Sequence, residues 1–223
     1  MAGLKVHTAQ TDYVNSLAEI KTHLKIDGSD DDTALGYIRI AVDSWAQQYT
    51  GRTMTTQTYE LFIDSVYDLD QKLIEGYYTG YDANFPRKSI ILPKSPVSSI
   101  SHVKYYADDD TATTWASTNY FLDTASMPSM FTLRKGITYP TGLRLTNGLE
   151  IKYVAGYGAS GDVPQQIKQA CLAYASYLNE HRGDMLDGKN LTPPKVATQL
   201  LSPFVIKNLS SNPYRGTSKY GGY

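Results

Sequence analysis

The hydrophobic period of this chain changes twice, and that restricts the folds open to it. Over residues 16–51 apolar side chains recur every three or four positions, the spacing of a helix face. Over 58–154 they alternate or come in short runs cut by Pro and Gly, the habit of strands. Over 164–201 the helical spacing returns. No helix-period segment separates the middle strands, so antiparallel pairing is expected rather than βαβ units. The expected fold is α+β: N- and C-terminal helices forming a small bundle, an antiparallel β-meander inserted between them, and an extended C-terminal tail. The expected divisions are 1–52, 53–158, 159–203 and 204–223.

Local signals place the elements. Ser16 and Glu19 spell a capping box, after which Leu17, Ile20 and Leu24 share a face up to Gly28. A second helix is expected to start at Ser29 or Asp30, with Asp31 and Asp32 suiting the positive end of its dipole. Leu35, Ile38, Val42, Trp45 and Tyr49 form its stripe, and Gly51 stops it. Strands are expected at 58–63, 89–92, 97–106, 115–122, 131–134 and 149–154, with a hairpin turn at 108–111. Pro164 opens a third helix carrying Ile167, Ala170, Cys171, Tyr174 and Leu178. Thr192 and Pro193-Pro194 open a fourth, short one with Val196, Leu200 and Leu201.

Composition narrows the function classes. The 223 residues balance 21 basic against 22 acidic side chains, which disfavours a dedicated nucleic-acid binder. The charge is uneven: residues 1–110 carry ten basic and sixteen acidic groups, and residues 111–223 carry eleven and six. From 189 onward five basic side chains meet no acid, as in a tail that seeks an acidic or nucleic-acid surface or stays solvated. No apolar run is long enough to span a bilayer, so no membrane partner is expected. The start, Met1 to Lys5, lacks the apolar core of a signal peptide, and the lone Cys171 offers no internal disulfide. Both fit a chain that matures in a reducing cytoplasm.

Reaction chemistry is expected to be absent. Gly156, Gly158 and Gly161 match the dinucleotide pattern G-x-G-x-x-G. Yet the strands before it are not the start of a parallel sheet, and Pro164 places the helix beyond the third glycine. His7, His23, His102 and His181 stand apart, without metal-ligand spacing, and Cys171 sits on an apolar stripe without a cationic neighbour. No catalytic residue, cofactor or metal is therefore assigned. The 19 tyrosines, dense in the loop 75–87, serve as interface anchors or, alternatively, as the platform of a glycan- or receptor-binding β-module.

In order and spacing, several strings resemble the gp6-like head–tail connector (adaptor) proteins of tailed phages, in the variety with a β-insertion. They are Ser16–Asp27, the acidic cap and helix ending Tyr49-Thr50-Gly51-Arg52, Thr56–Leu61, Ile91–Val97, Ile100–Tyr105, Val154–Gly158, and Val163–Ala170 running on to Arg182. The resemblance implies a virion structural protein at the phage neck: a ring of copies, typically twelve, beneath the portal protein. Such a ring extends the DNA channel, without sequence-specific DNA binding, and presents a platform for the next neck, stopper or tail protein. The residues themselves add one expectation to that picture, a C-terminal segment reaching the portal with Phe204, Ile206, Tyr214 and Tyr220 as anchors.

Overall fold

The computed structural model describes residues 2–64, 89–181 and 192–206. Eight strands and four α-helices appear there in the order β1 (Ala2–Thr8), α1 (Leu17–Leu24), α2 (Asp32–Thr50), β2 (Gln57–Ile63), β3 (Ser89–Ile91), β4 (Val97–Tyr106), β5 (Ala112–Trp115), β6 (Tyr120–Asp123), β7 (Met130–Leu133), β8 (Leu149–Ala155), α3 (Gln165–Glu180) and α4 (Lys195–Leu201). The α+β class is as the sequence implies. All strand pairs are antiparallel, in two sheets ordered β1-β2-β8-β4-β5 and β3-β7-β6.

The helix signals translate into geometry. Ser16 Oγ accepts from the Glu19 amide while the Glu19 carboxylate accepts from the Ser16 amide, closing the capping box. Glu19 also receives Lys168 Nζ of α3 at 2.6 Å, tying α1 to α3. Burial opposes the Glu19 charge, but the hydrogen bonds from Lys168 and Ser16 hold its carboxyl below the usual range. Gly51 closes α2 at φ +72°, a conformation that suits glycine.

Three elements depart from the sequence reading. Residues Ala2–Thr8, expected to be part of the helical end, form the edge strand β1 on β2. The stretch 115–122 is divided: β5 completes the larger sheet, a 3₁₀ turn at Ser117–Asn119 intervenes, and β6 joins the smaller sheet. The second helix is capped at Asp31, without a side-chain bond, instead of at Ser29 or Asp30. In each case long-range pairing or packing settles what short-range pattern left open.

There are two apolar cores. One lies between the sheets and includes Tyr59, Leu61, Val103, Phe131, Ile151 and Tyr153. The other lies among the helices and includes Ile20, Leu35, Val42, Ile167, Cys171 and Leu201. Burial drives the Cys171 thiol pKa upward, with the Asp43 carboxylate adding to it, so it is a core thiol rather than a nucleophile.

A buried polar network joins the cores. Gln10 Nε2 and Gln47 Nε2 both donate to Asp43 Oδ2 at 2.7 Å, and the Val14 amide donates to Asp43 Oδ1 at 3.1 Å. Gln57 Nε2 on β2 donates to Gln10 Oε1 at 2.6 Å and to Gln47 Oε1 at 3.1 Å. Tyr59 OH donates to Gln57 Oε1, and Thr53 Oγ1 donates to Tyr59 OH. Asp43 is 2 % exposed, so its carboxylate is cut off from bulk solvent. Asp43→Ala leaves three donors without their acceptor; an unpaired buried donor costs about 1–3 kcal/mol. The expected result is a loss of roughly 3 kcal/mol or more in urea denaturation, against a near-silent Thr33→Ala control on the exposed side of α2.

Candidate functional site

Three features bear on chemistry: the glycine loop, the polar face of the larger sheet, and the root of the C-terminal segment. In the glycine loop, the Gly156 amide donates to Pro96 O at 2.8 Å and the Tyr157 amide to Met54 O at 2.9 Å. The Ala159 amide donates to Asp162 Oδ2 at 2.9 Å, and the Ser160 amide to Asp12 Oδ2 at 2.6 Å. Four of the loop's amides, those of Gly156, Tyr157, Ala159 and Ser160, thus already hold carbonyls and carboxylates. A phosphate there would also face the Asp12 and Asp162 charges. The glycines serve packing: a Cβ on Gly156 (φ +122°) would run into the Thr55 backbone, and one on Gly158 (φ +134°) into the Asp162 carboxylate.

The polar face of the larger sheet carries a charge ladder set by register. Lys5, Glu60, Lys152 and His102 lie opposite one another across β1, β2, β8 and β4. Glu60 receives His7 Nδ1 at 2.7 Å and Lys152 Nζ at 3.5 Å. Glu150, 6 % exposed, pairs with His102 Nε2 at 2.8 Å and accepts from Tyr106 OH. The Arg144 guanidinium stacks 4.1 Å above the Tyr106 ring.

The hydrogen bond to Glu150 pushes the Tyr106 phenol up to about 12. Burial works against the Glu150 charge, but the bonds from Tyr106 and His102 outweigh it and keep its carboxyl below the usual range. At neutral pH the pair is a locked phenol and carboxylate on an open sheet face, the arrangement of a structural pair. Among the described residues no group of three His, Cys, Asp or Glu side chains converges to hold a metal.

The root of the C-terminal segment is fixed. The Arg52 guanidinium donates through Nε to Phe204 O and through Nη1 to Tyr157 OH at 3.0 Å, and it lies 5.8 Å from the Phe204 ring centroid. The Ile206 amide donates to Thr50 O at 2.9 Å. Phe204 and Ile206 are thus brought together at the end of α2, both half-buried. Tyr214, Tyr220 and the tyrosine-rich loop 75–87 lie outside the described residues. Arg52 was part of the quoted string, but the sequence held no sign that it grips residue 204. That contact spans 152 positions.

The likenesses to known proteins follow this geometry. The family model described as "Phage gp6-like head-tail connector protein" matches residues 14–83, bearing out the connector resemblance read from the strings. A chain of the solved structure "Neck of empty GTA particle computed with C6 symmetry" is 20 % identical, with TM-score 0.69 over 92 % of this chain and 96 % of that one. A chain of "Virion of native gene transfer agent (GTA) particle" is 18 % identical, with TM-score 0.68 over 92 % and 95 %. A chain of "Neck of native GTA particle computed with C12 symmetry" is 20 % identical, with TM-score 0.65 over 92 % and 96 %. No curated protein sequence matches.

Two measurements test the structural reading of these groups. Gly158→Ala puts an L side chain at an unfavourable φ and displaces Asp162, at a cost of about 1–3 kcal/mol. Urea denaturation should show that loss, while NAD⁺ should shift the melting temperature of neither protein. For Glu150 the folded-state pKa is depressed. Its stabilisation is therefore complete above the ordinary glutamate value of 4.5 and fades as pH falls through the lower folded value. Glu150→Gln should lose about 1.5–3 kcal/mol at pH 7, the worth of hydrogen bonds to a charged group. The gap from wild type should narrow as pH drops below that range; a gap constant down to the acid limit would show that the carboxylate charge is not the source.

Proposed function

We propose that this chain is a structural head–tail connector of a tailed phage or phage-like particle, working in the neck and carrying out no reaction. Its copies form a closed ring, twelve in the reading favoured here, that meets the portal protein on one side and a neck, stopper or tail protein on the other. DNA passes through the ring's lumen without being read. The observation that carries this reading is the agreement of fold with chains from particle necks over 92 % of this chain, at TM-scores of 0.69 and 0.65. The family-model match over residues 14–83 supports it independently.

The geometry suits such a role. Two cores locked together by hydrogen-bonded side chains make a stiff wedge, and a ring of wedges needs stiffness to hold its angle. Among the described residues, a cavity of about 10 Å³ lined by Val14, Asn15, Arg39, Asp43 and Cys171 has room for little more than a water molecule, and a wider groove of about 740 Å³ lies open along α1 beside Leu17, Lys21 and Ile26. The glycan- or receptor-binding alternative draws no support from the described residues, since its platform lies outside them.

The portal contact is assigned to the C-terminal segment. Phe204 and Ile206 root it against α2, while Tyr214 and Tyr220 supply aromatic anchors for the portal. Its basic character without acids suits an acidic partner surface. Deleting 207–223 should leave the melting temperature within about 2 °C of the full chain, because both cores are built from residues that the deletion keeps. The same deletion should abolish co-sedimentation with portal rings. Undiminished binding would remove the segment from the portal interface, and absence of the full-length protein from purified necks would overturn the connector reading as a whole.

A further inference from the structure

Helix α2 is 19 residues long, and its only charge outside Asp43 and Arg39 is Asp32 in the first turn, 37 % exposed and paired with Lys21 Nζ at 2.7 Å; beyond that turn its exposed side is without formal charge. Asp43 is buried in the polar network, and Arg39 is half-buried with its guanidinium 4.4 Å over the Tyr13 ring. What faces outward is Thr33, Tyr37, Ile40, Ala41, Ser44 and Gln48, with Tyr37 71 % and Ile40 43 % exposed. A helix side that meets only water normally carries Glu, Lys and Arg. Depletion of charge with an aromatic and an aliphatic at the centre is the composition of an interface core.

Gly36 sits beside this stripe, one position before Tyr37. A Cβ built there meets nothing within 4 Å, so this chain's own packing does not require glycine. Glycine weakens a helix interior relative to alanine. Close approach of another chain accounts for it.

We infer that the outer side of α2 (Thr33, Gly36, Tyr37, Ile40, Ala41 and Ser44) is the flank on which the neighbouring copy of this chain packs in the ring. The inference rests on the connector reading above, because a closed ring obliges every copy to offer its neighbour a flank. The necks whose chains share this fold were computed with C6 and C12 symmetry, which sets identical chains side by side, and this makes a second copy the occupant; the size of the flank bears on how firmly it is held. A helix of this length spans about 28 Å. Half the side wall of a cylinder of that length and about 10 Å across is roughly 440 Å². A stable pair needs about 800 Å² from each partner. The flank is therefore too small to hold two free copies together and adequate where a ring closes on a template. Closed cyclic symmetry makes the contact heterologous, so the neighbour meets α2 with a different surface.

A photo-crosslinking residue, benzoylphenylalanine, placed at position 37 in tagged full-length protein and irradiated in assembled necks tests this. The expected product is a ladder of multimers of this chain, with the crosslinked peptide of the neighbour mapping outside α2. Crosslinks to a different protein, crosslinks between two copies of position 37, or no crosslink in necks that contain the tagged chain would each overturn the inference while leaving the connector reading standing. Absence of the tagged wild-type chain from necks would instead strike the connector reading. As a second arm, Tyr37→Glu should keep the wild-type circular dichroism and melting temperature while entering necks at least about tenfold less, the effect of a charge desolvated in an interface. Normal entry of Tyr37→Glu would count against the flank.

Discussion

The carboxylate of Asp43 holds this architecture together. The apolar side chains group into two clusters, and polar contacts span their junction: the Asp43 network together with backbone bonds such as Thr56 N to Gly158 O and Tyr157 N to Met54 O. A buried carboxylate that accepts from Gln10, Gln47 and the Val14 amide has few alternative arrangements open to it. Apolar contacts tolerate sliding, but hydrogen bonds with fixed donor geometry do not. Through Gln57 and Tyr59 the same network continues into β2, so a rotation of the bundle against the sheets would break several buried bonds at once. Rigidity at the junction is the property a ring-forming subunit needs, because a small angular error repeated at each copy prevents closure.

Charge is distributed to match. The larger sheet displays a ladder in which Glu60 and Glu150 are flanked by Lys5, Lys152, His7 and His102. Such a face is satisfied within the chain and well solvated at its margins, and burying it against a partner would incur desolvation of every member. The outer side of α2 carries no such cost. The molecule thus separates a face suited to water from a flank suited to protein, and the separation arises from which helix positions lack Glu and Lys.

Much of this was legible beforehand, for identifiable reasons. The capping box at Ser16 and Glu19, the Gly51 stop and the alternation leading to Tyr59, Leu61 and Ile63 are short-range signals, each contained within a few residues. Strand β1 escaped notice because Leu4 and Val6 alternate too briefly to stand out, and the strand exists through pairing with β2, more than fifty residues away. The division of 115–122 between two sheets was hidden because β5 and β6 are each only four residues long. The docking of Phe204 and Ile206 onto Arg52 and Thr50 was unreadable for the same reason that it matters. It joins distant parts of the chain, and sequence spacing carries no record of such contacts.

One helix consequently sets three geometries. Near its middle, Asp43 and Gln47 orient the sheets; just past its end, Arg52 with Thr50 pins the root of the C-terminal segment; along its outside lies the flank assigned to the neighbour. If neighbours register through α2, the roots of their C-terminal segments are placed at equal intervals around the ring without any contact between those segments. A segment tethered at a fixed point binds as an intramolecular partner at high effective concentration once its neighbours are seated. Weak single contacts at the flank and at the segment can then give a neck that is firm only when complete.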